Sequence, residues 1–145
     1  MYNKDSNTNL MNIVYQNSKM GIDSIDYILP KITNDHFKKD LAAQMAGYLN
    51  FINRASLKLQ NLNRCPRDFG FLTKIPLCAL IKIKMCIDNS ESHIAEMMIE
   101  GSTAGLIEMQ RIFNRAKNLD GEISQIGCEA IYFEQKCINT LRNYL

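Results

Sequence analysis

Apolar residues recur every three or four positions along four long stretches of the chain, which is the period of an amphipathic α-helix. This pattern predicts long helices over about 7–29, 34–62, 91–118 and 122–144. The second stretch has the clearest period, carried by Phe37, Leu41, Met45, Tyr48, Ile52, Ala55, Leu59 and Leu62. Repeated alternating strands joined by hairpin dipeptides are absent, so we expect an all-α fold.

Capping and helix-breaking residues mark the ends of these helices. Pro30 follows the first apolar stripe and predicts its end near Leu29. The second helix begins after Asn34 and the third long helix after Ser90, both residues whose side chains cap helix N-termini. The turn before the last helix contains Gly121. Each of the four long helices therefore has a boundary signal that agrees with its apolar period.

The segment FLTKIPLCALIKIKMCI, between the second and third long helices, is ambiguous because residues 81–85 alternate as in a strand. A single strand in a helical domain would leave its backbone groups unpaired, so we predict a short helix over 74–88. It would lie in the crossover of a ferritin-like four-helix bundle, or form the additional member of a five-helix bundle with antiparallel neighbours. Chain length alone does not choose between these arrangements.

The bulk properties narrow the class of protein. The 145 residues are enough for a single domain over 1–145, and a net charge of +2 offers no basic surface for nucleic acid. No apolar run reaches the ~18 residues of a membrane span, and the N-terminal MYNKDSNTNL is unlike a signal peptide. Five cysteines without a Cys-x-x-Cys pair predict reduced, mostly buried thiols. We expect a cytoplasmic protein that binds neither nucleic acid nor membrane.

A few polar residues interrupt the apolar stripes. Glu134 falls in the middle of the last stripe, Glu108 at the edge of the third, and Gln44 within the second, next to Tyr48. Asn17 has a comparable edge position in the first helix. A carboxylate inside a bundle is costly unless it is paired, protonated or bound to a cation. Glu108, Glu134, Gln44 and Tyr48 are thus candidate ligand-binding residues, unless each glutamate reaches a helix end, an arginine or a tyrosine hydroxyl.

The segments YQNSKMGIDSIDYI, SHIAEMMIEGSTAGLIEM and FEQKCINTLRNYL, with the predicted layout, resemble the ferritin-like superfamily. The likeness is to small uncharacterised ferritin-like bacterial proteins and implies a four-helix bundle with one long crossover. Di-iron members carry two Glu-x-x-His pairs. Here His36 and His93 are preceded at that spacing by Thr33 and Ser90, so neither pair exists. We expect no iron chemistry and no cofactor.

One other spacing suits a metal, since His93, Glu96 and Glu100 lie on one side of the third long helix. That side is opposite the apolar stripe and also carries Arg111 and Lys117. Acids near a helix start are explained by the helix dipole. We interpret this side as a solvated face and expect no metal site.

The main functional hypothesis is a protein without enzymatic activity that works as a homodimer or with a protein partner. Its support is the lack of a catalytic motif and the apolar side chains around most of the short helix over 74–88, which are Leu77, Leu80, Ile81, Ile83, Met85 and Ile87. The alternative is a degenerate ferritin-like protein that binds a metal or small ligand. It requires Glu108, Glu134, Gln44 and Tyr48 to converge in one cavity.

Overall fold

A computed structural model describes residues 3–67 and 88–145 of the chain. Four long helices make up these ranges: α1 (Lys4–Ile28), α2 (Asp35–Asn61), α3 (Glu91–Arg115) and α4 (Gly121–Leu141). Short 3-10 turns follow α1 and α4, over Leu29–Lys31 and Arg142–Tyr144. No strand occurs in either described range, so the predicted all-α class is confirmed there.

The helix ends follow from local capping. Asn34 and Ser90 cap α2 and α3 as predicted, each accepting a backbone N–H from the first turn. The first helix begins earlier than predicted because Asn3 accepts the N–H groups of the next turn and provides a cap. The third long helix ends at Arg115, before the predicted end at Asn118, whose positive φ of 52° is incompatible with a right-handed helix.

The four helices pack as a bundle in which α1 lies between α2 and α3, and α4 contacts the same two neighbours from the other side. Lys58, near the end of α2, pairs with Glu122 at the start of α4. Glu91, at the start of α3, accepts hydrogen bonds from Thr33 and Asn34 just before α2. The second and third helices therefore begin at the same end of the bundle and run parallel at opposite corners.

The chain that leaves α2 turns back along α1. The backbone N–H of Arg67 donates to Asn12 Oδ1 over 2.9 Å, and Gln16 Nε2 donates to the Arg67 carbonyl over 2.8 Å. Asn12 is thereby buried, although it is a polar residue. The predicted short helix over 74–88 lies outside the described residues, except for its last residue. The choice between a four-helix and a five-helix bundle depends on this segment and stays open.

The core consists of two apolar clusters, one toward each end of the bundle. The first contains Leu10, Val14, Phe51, Leu59, Met109, Ile126 and Ala130, and the second contains Ile25, Phe37, Leu41, Ile94 and Leu141. Each helix passes from one cluster to the other at mid-length, and the buried polar side chains of Ser18, Ser102 and Glu134 lie near that transition. None of the helices in the described ranges is long and apolar enough to cross a lipid bilayer.

Candidate functional site: a buried polar layer and its pocket

A layer of polar side chains lies between the two apolar clusters, with one contribution from each helix. Asn17 comes from α1, Tyr48 from α2, Ser102 from α3 and Glu134 from α4. Tyr48 and Ser102 are buried, and Glu134 is only 1% exposed. Every helix thus interrupts its apolar stripe at the same level of the bundle, so these side chains meet.

Glu134 is the centre of this layer. Asn17 donates its side-chain amide to Glu134 Oε1 over 2.7 Å. The second carboxyl oxygen, Oε2, is buried and has no hydrogen-bond partner among the described residues. Burial raises the pKa of Glu134, and the nearby side chains of Tyr48, Asn17 and Ser102 offset part of that rise. The site therefore holds a buried acceptor with unused hydrogen-bonding capacity.

Two ionisable side chains near Glu134, Tyr48 in the layer and Cys137 one turn along α4, are held neutral. Burial raises the pKa of Tyr48 well above its ordinary value of 10.0, and the neighbouring Glu134 raises it further. Burial, and then Glu134, raise the pKa of the Cys137 thiol to about 12. Cys65 and Cys128 are exposed, so the prediction of mostly buried thiols holds for only one of the three cysteines in the described ranges. The raised pKa values of Tyr48 and Cys137 therefore leave Glu134 as the acidic group at the centre of this layer.

A pocket of about 240 Å³ opens between α1 and α3 and leads to the polar layer. Its walls are mostly apolar side chains, which are Met20, Ile28, Ile94, Met97 and Met98. Its lining includes Glu134 and Tyr48, which are buried at the inner end, and Glu100, which is exposed at the rim. The pocket thus combines an apolar body with a polar inner end, which is the usual organisation of a small-molecule site.

Glycines allow this close arrangement of side chains. A Cβ on Gly21 would lie 2.4 Å from the Tyr48 ring, and a Cβ on Gly105 would lie 1.9 Å from Asn17 Oδ1. Gly101 also lines the pocket, but a Cβ there would meet no atom within 4 Å. The first two glycines are therefore required by the packing of the polar layer, whereas Gly101 borders open space.

The four ligand-binding candidates from the sequence have different places in the structure. Glu134 and Tyr48 lie together at the pocket. Gln44 is buried one turn before Tyr48, and its side-chain amide has no hydrogen-bond partner in the described ranges, but it does not line the pocket. Glu108 is about half exposed and pairs with Arg111 over 2.9 Å. The structure therefore does not bring Glu108 to Glu134.

Two further members of the layer carry weaker sequence signals. Asn17 has an edge position on its apolar stripe, although nothing in one dimension pairs it with Glu134. Ser102 belongs to the GSTAG segment, whose small residues favour an interpretation as a packing surface. Its burial could be anticipated because it lies eight residues after Ile94 and seven before Met109, on the same helical face.

The other candidate residues from the sequence, His93, Glu96 and Glu100, lie along α3. His93 Nδ1 lies 3.2 Å from Glu96 Oε2. Glu100, the third residue of that spacing, is at the rim of the pocket. Within residues 3–67 and 88–145, no three His, Cys, Asp or Glu side chains are grouped so that they could hold a metal ion.

Comparisons with protein-family models, with curated proteins and with solved structures find no match to this chain. The ferritin-like resemblance therefore stays a prediction. Because one fold serves many unrelated activities, a helical bundle would not by itself indicate what this chain does. The polar layer and its pocket are the features from which a function can be inferred.

Proposed function

We propose that the chain is a helical bundle without enzymatic activity that binds a small organic molecule in the pocket between α1 and α3. The observation that carries this proposal is Glu134, which lines the inner end of an apolar pocket and whose buried Oε2 has no hydrogen-bond partner among the described residues. Buried polar atoms are nearly always paired, and an unpaired one costs about 1–3 kcal/mol. A ligand with a hydrogen-bond donor removes that cost.

The pocket sets the size of the ligand. Its volume of about 240 Å³ exceeds that of the ~150 Å³ engineered cavity known to bind benzene. It is smaller than the ~300 Å³ at which pockets for drug-sized ligands begin. A ligand with a single ring or a short alkyl chain and one polar end fits these limits. The polar end belongs beside Glu134, because the remaining walls are mostly apolar.

Two substitutions at Gly101 test the proposal, because this position borders the pocket and a Cβ added there would have no neighbour within 4 Å. Phenethylamine, phenethyl alcohol and hydrocinnamate share one apolar body and differ in their polar end. We expect NMR titration to detect binding of at least one of them to the native chain and to Gly101→Ala. Gly101→Phe fills the pocket and should weaken that binding by at least about tenfold. If no probe binds the native chain, the proposal is overturned.

A second proposal is self-association as a homodimer. Leu49 and Leu57 on α2 are large apolar side chains with exposed fractions of 48% and 57%. Burying them against a second copy would be favourable. Sedimentation velocity of the native chain and of Leu57→Lys tests this. The native chain should dimerise, and the variant should have a higher dimer dissociation constant. A native chain that is monomeric at every accessible concentration contradicts self-association and leaves only a different protein partner.

Three finer features complete the proposal. The bundle is ferritin-like in topology, the crossover contains a short helix over 74–88, and the protein is cytoplasmic. The parallel course of α2 and α3 at opposite corners supports the first of these, because it requires a connection along the bundle. An experimental structure that includes 68–87 tests the topology and the helix, and cell fractionation tests the location.

A further inference from the structure

We propose that the ligand of this pocket is a small primary amine, bound as its ammonium ion with the nitrogen at Glu134. This inference rests on the proposed small-molecule function and specifies its ligand class. Three properties of the pocket carry it: the sign of its charges, the hydrogen-bonding groups left at its inner end, and the nature of its walls.

Among the described residues that line the pocket, the only charged side chains are acidic. Glu134 lies at the inner end and Glu100 is exposed at the rim. An anionic ligand would be buried beside the Glu134 carboxyl group, which is unfavourable. A cation is paired by Glu134, so this carboxyl group favours a positive ligand.

The hydrogen-bonding groups at the inner end also favour a donor. Asn17 uses its amide N–H on Glu134 Oε1, and the Tyr48 and Ser102 hydroxyls lie close to the same carboxyl group. Burial raises the pKa of Glu134, and these donors offset part of that rise. Glu134 Oε2 has no hydrogen-bond partner in the part of the chain that the structure describes. An ammonium group carries three donors and no acceptor, so it complements this end of the pocket.

The walls decide what the rest of the ligand is. Met20, Met97 and Met98 provide flexible, polarisable thioethers that adapt to an apolar group. A strongly hydrated inorganic cation would lose its water in this environment without enough oxygen ligands to replace it. An alkyl- or arylammonium ion needs only one charged partner and gains from burying its apolar body. The walls therefore favour an organic amine over a metal cation.

Calorimetric titration of the native protein with the three matched probes tests the inference at neutral pH. We expect phenethylamine to bind at least about tenfold more tightly than phenethyl alcohol, because its hydrogen bond is charge-assisted. Hydrocinnamate should be the weakest of the three. If the alcohol or the acid binds as well as the amine, the ammonium inference is wrong while the small-molecule proposal survives. If none of the three binds, both fail.

Glu134→Gln supplies a second test, since it keeps the size of the side chain and removes its charge. The amine should lose at least about tenfold in affinity in this variant, and the alcohol should change much less. Glu129→Gln is the matched control, because Glu129 is a partly exposed glutamate on the same helix and does not line the pocket. Unchanged amine affinity in a folded Glu134→Gln protein contradicts the inference. The three-probe comparison needs no variant and decides the question if Glu134→Gln does not fold.

Discussion

The side-chain amide of Asn17 in α1 donates to Oε1 of Glu134 in α4 over 2.7 Å. The two residues are far apart in sequence and belong to helices at opposite corners of the bundle, so this bond crosses its centre. It also fixes which carboxyl oxygen is occupied and which one, Oε2, is left without a partner among the described residues. The stability of the polar layer and its capacity for a ligand therefore depend on the same contact.

Removing the donor should destabilise the protein. Asn17→Ala leaves Glu134 Oε1 buried without this hydrogen bond, so we expect the free energy of unfolding to fall by about 1–3 kcal/mol. Asn9→Ala is the matched control, because Asn9 is an exposed asparagine on the same helix. Urea denaturation followed by circular dichroism measures both variants. Equal losses in the two proteins would show that the Asn17–Glu134 contact contributes nothing to stability.

Two glycines of α3, four residues apart, should respond in opposite directions to the same change. A Cβ on Gly105 would lie 1.9 Å from Asn17 Oδ1, so Gly105→Ala either strains the helix contact or displaces Asn17 from Glu134. We expect a loss of about 1–3 kcal/mol. Gly101→Ala meets no neighbouring atom and should gain up to about 1 kcal/mol from its better helix propensity. Thermal denaturation should give melting temperatures on opposite sides of the native value, and a Gly105→Ala protein as stable as Gly101→Ala would contradict this packing.

The sequence predicts the helices well because their signals are local. Asn34 and Ser90 mark the starts of two helices, because each side chain accepts a hydrogen bond from a backbone N–H in the first turn that follows it. The burial of Glu134 also follows from one helix, since it lies in the middle of an apolar stripe. Contacts between helices depend on residues that are distant in sequence, so local signals do not predict them. The burial of Asn12 depends on Arg67, which approaches from the end of α2.

The edge of an apolar stripe is where sequence reasoning reaches its limit. Glu108 and Asn17 have comparable edge positions, yet Glu108 is about half exposed and pairs with Arg111, whereas Asn17 points to Glu134. A helical wheel gives the direction of a side chain around its own helix. Whether a side chain in that direction contacts protein or water depends on where the neighbouring helix lies. Arg111, one turn after Glu108, offers a solvent-side partner. The side chain of Asn17 fits against Gly105 of α3, which has no Cβ to exclude it. This contact between two helices is visible only in the packed bundle.

The stability of the protein should carry a pH-dependent contribution from Glu134. Burial raises the pKa of this carboxyl group in the folded chain above its ordinary value of 4.5. Below pH 4.5 the carboxyl group of Glu134 is protonated in both the folded and the unfolded chain. As the pH rises, this group loses its proton in the unfolded chain first. The free energy of unfolding therefore falls until the pH passes the raised pKa of the folded chain. The free energy of unfolding of the native chain, relative to Glu134→Gln, should therefore be greatest at low pH, fall as the pH rises, and then level off.

Glu129 on the same helix gives the opposite sign and serves as the control. The Arg54 side chain, with Gln125, holds the pKa of Glu129 below its ordinary value. The stabilising contribution of Glu129 to the free energy of unfolding is therefore present above its ordinary pKa and is lost as the pH falls. Denaturant titrations between acidic and neutral pH measure both differences. A stability difference between native chain and Glu134→Gln that is constant, or that rises with pH, would contradict a buried carboxyl group with a raised pKa.

The Cys137 thiol should be protected from alkylation, unlike the other cysteines of the described ranges. Burial and the neighbouring Glu134 raise its pKa to about 12, so little of the reactive thiolate exists at mildly alkaline pH. Cys65 and Cys128 are exposed and should react at the rate of ordinary thiols. Iodoacetamide labelling of the native protein, resolved by peptide mass spectrometry, should show Cys137 at least about a hundredfold slower than Cys128. Labelling in denaturant should equalise the rates, whereas rapid native labelling of Cys137 would mean that the layer around Glu134 is open to solvent.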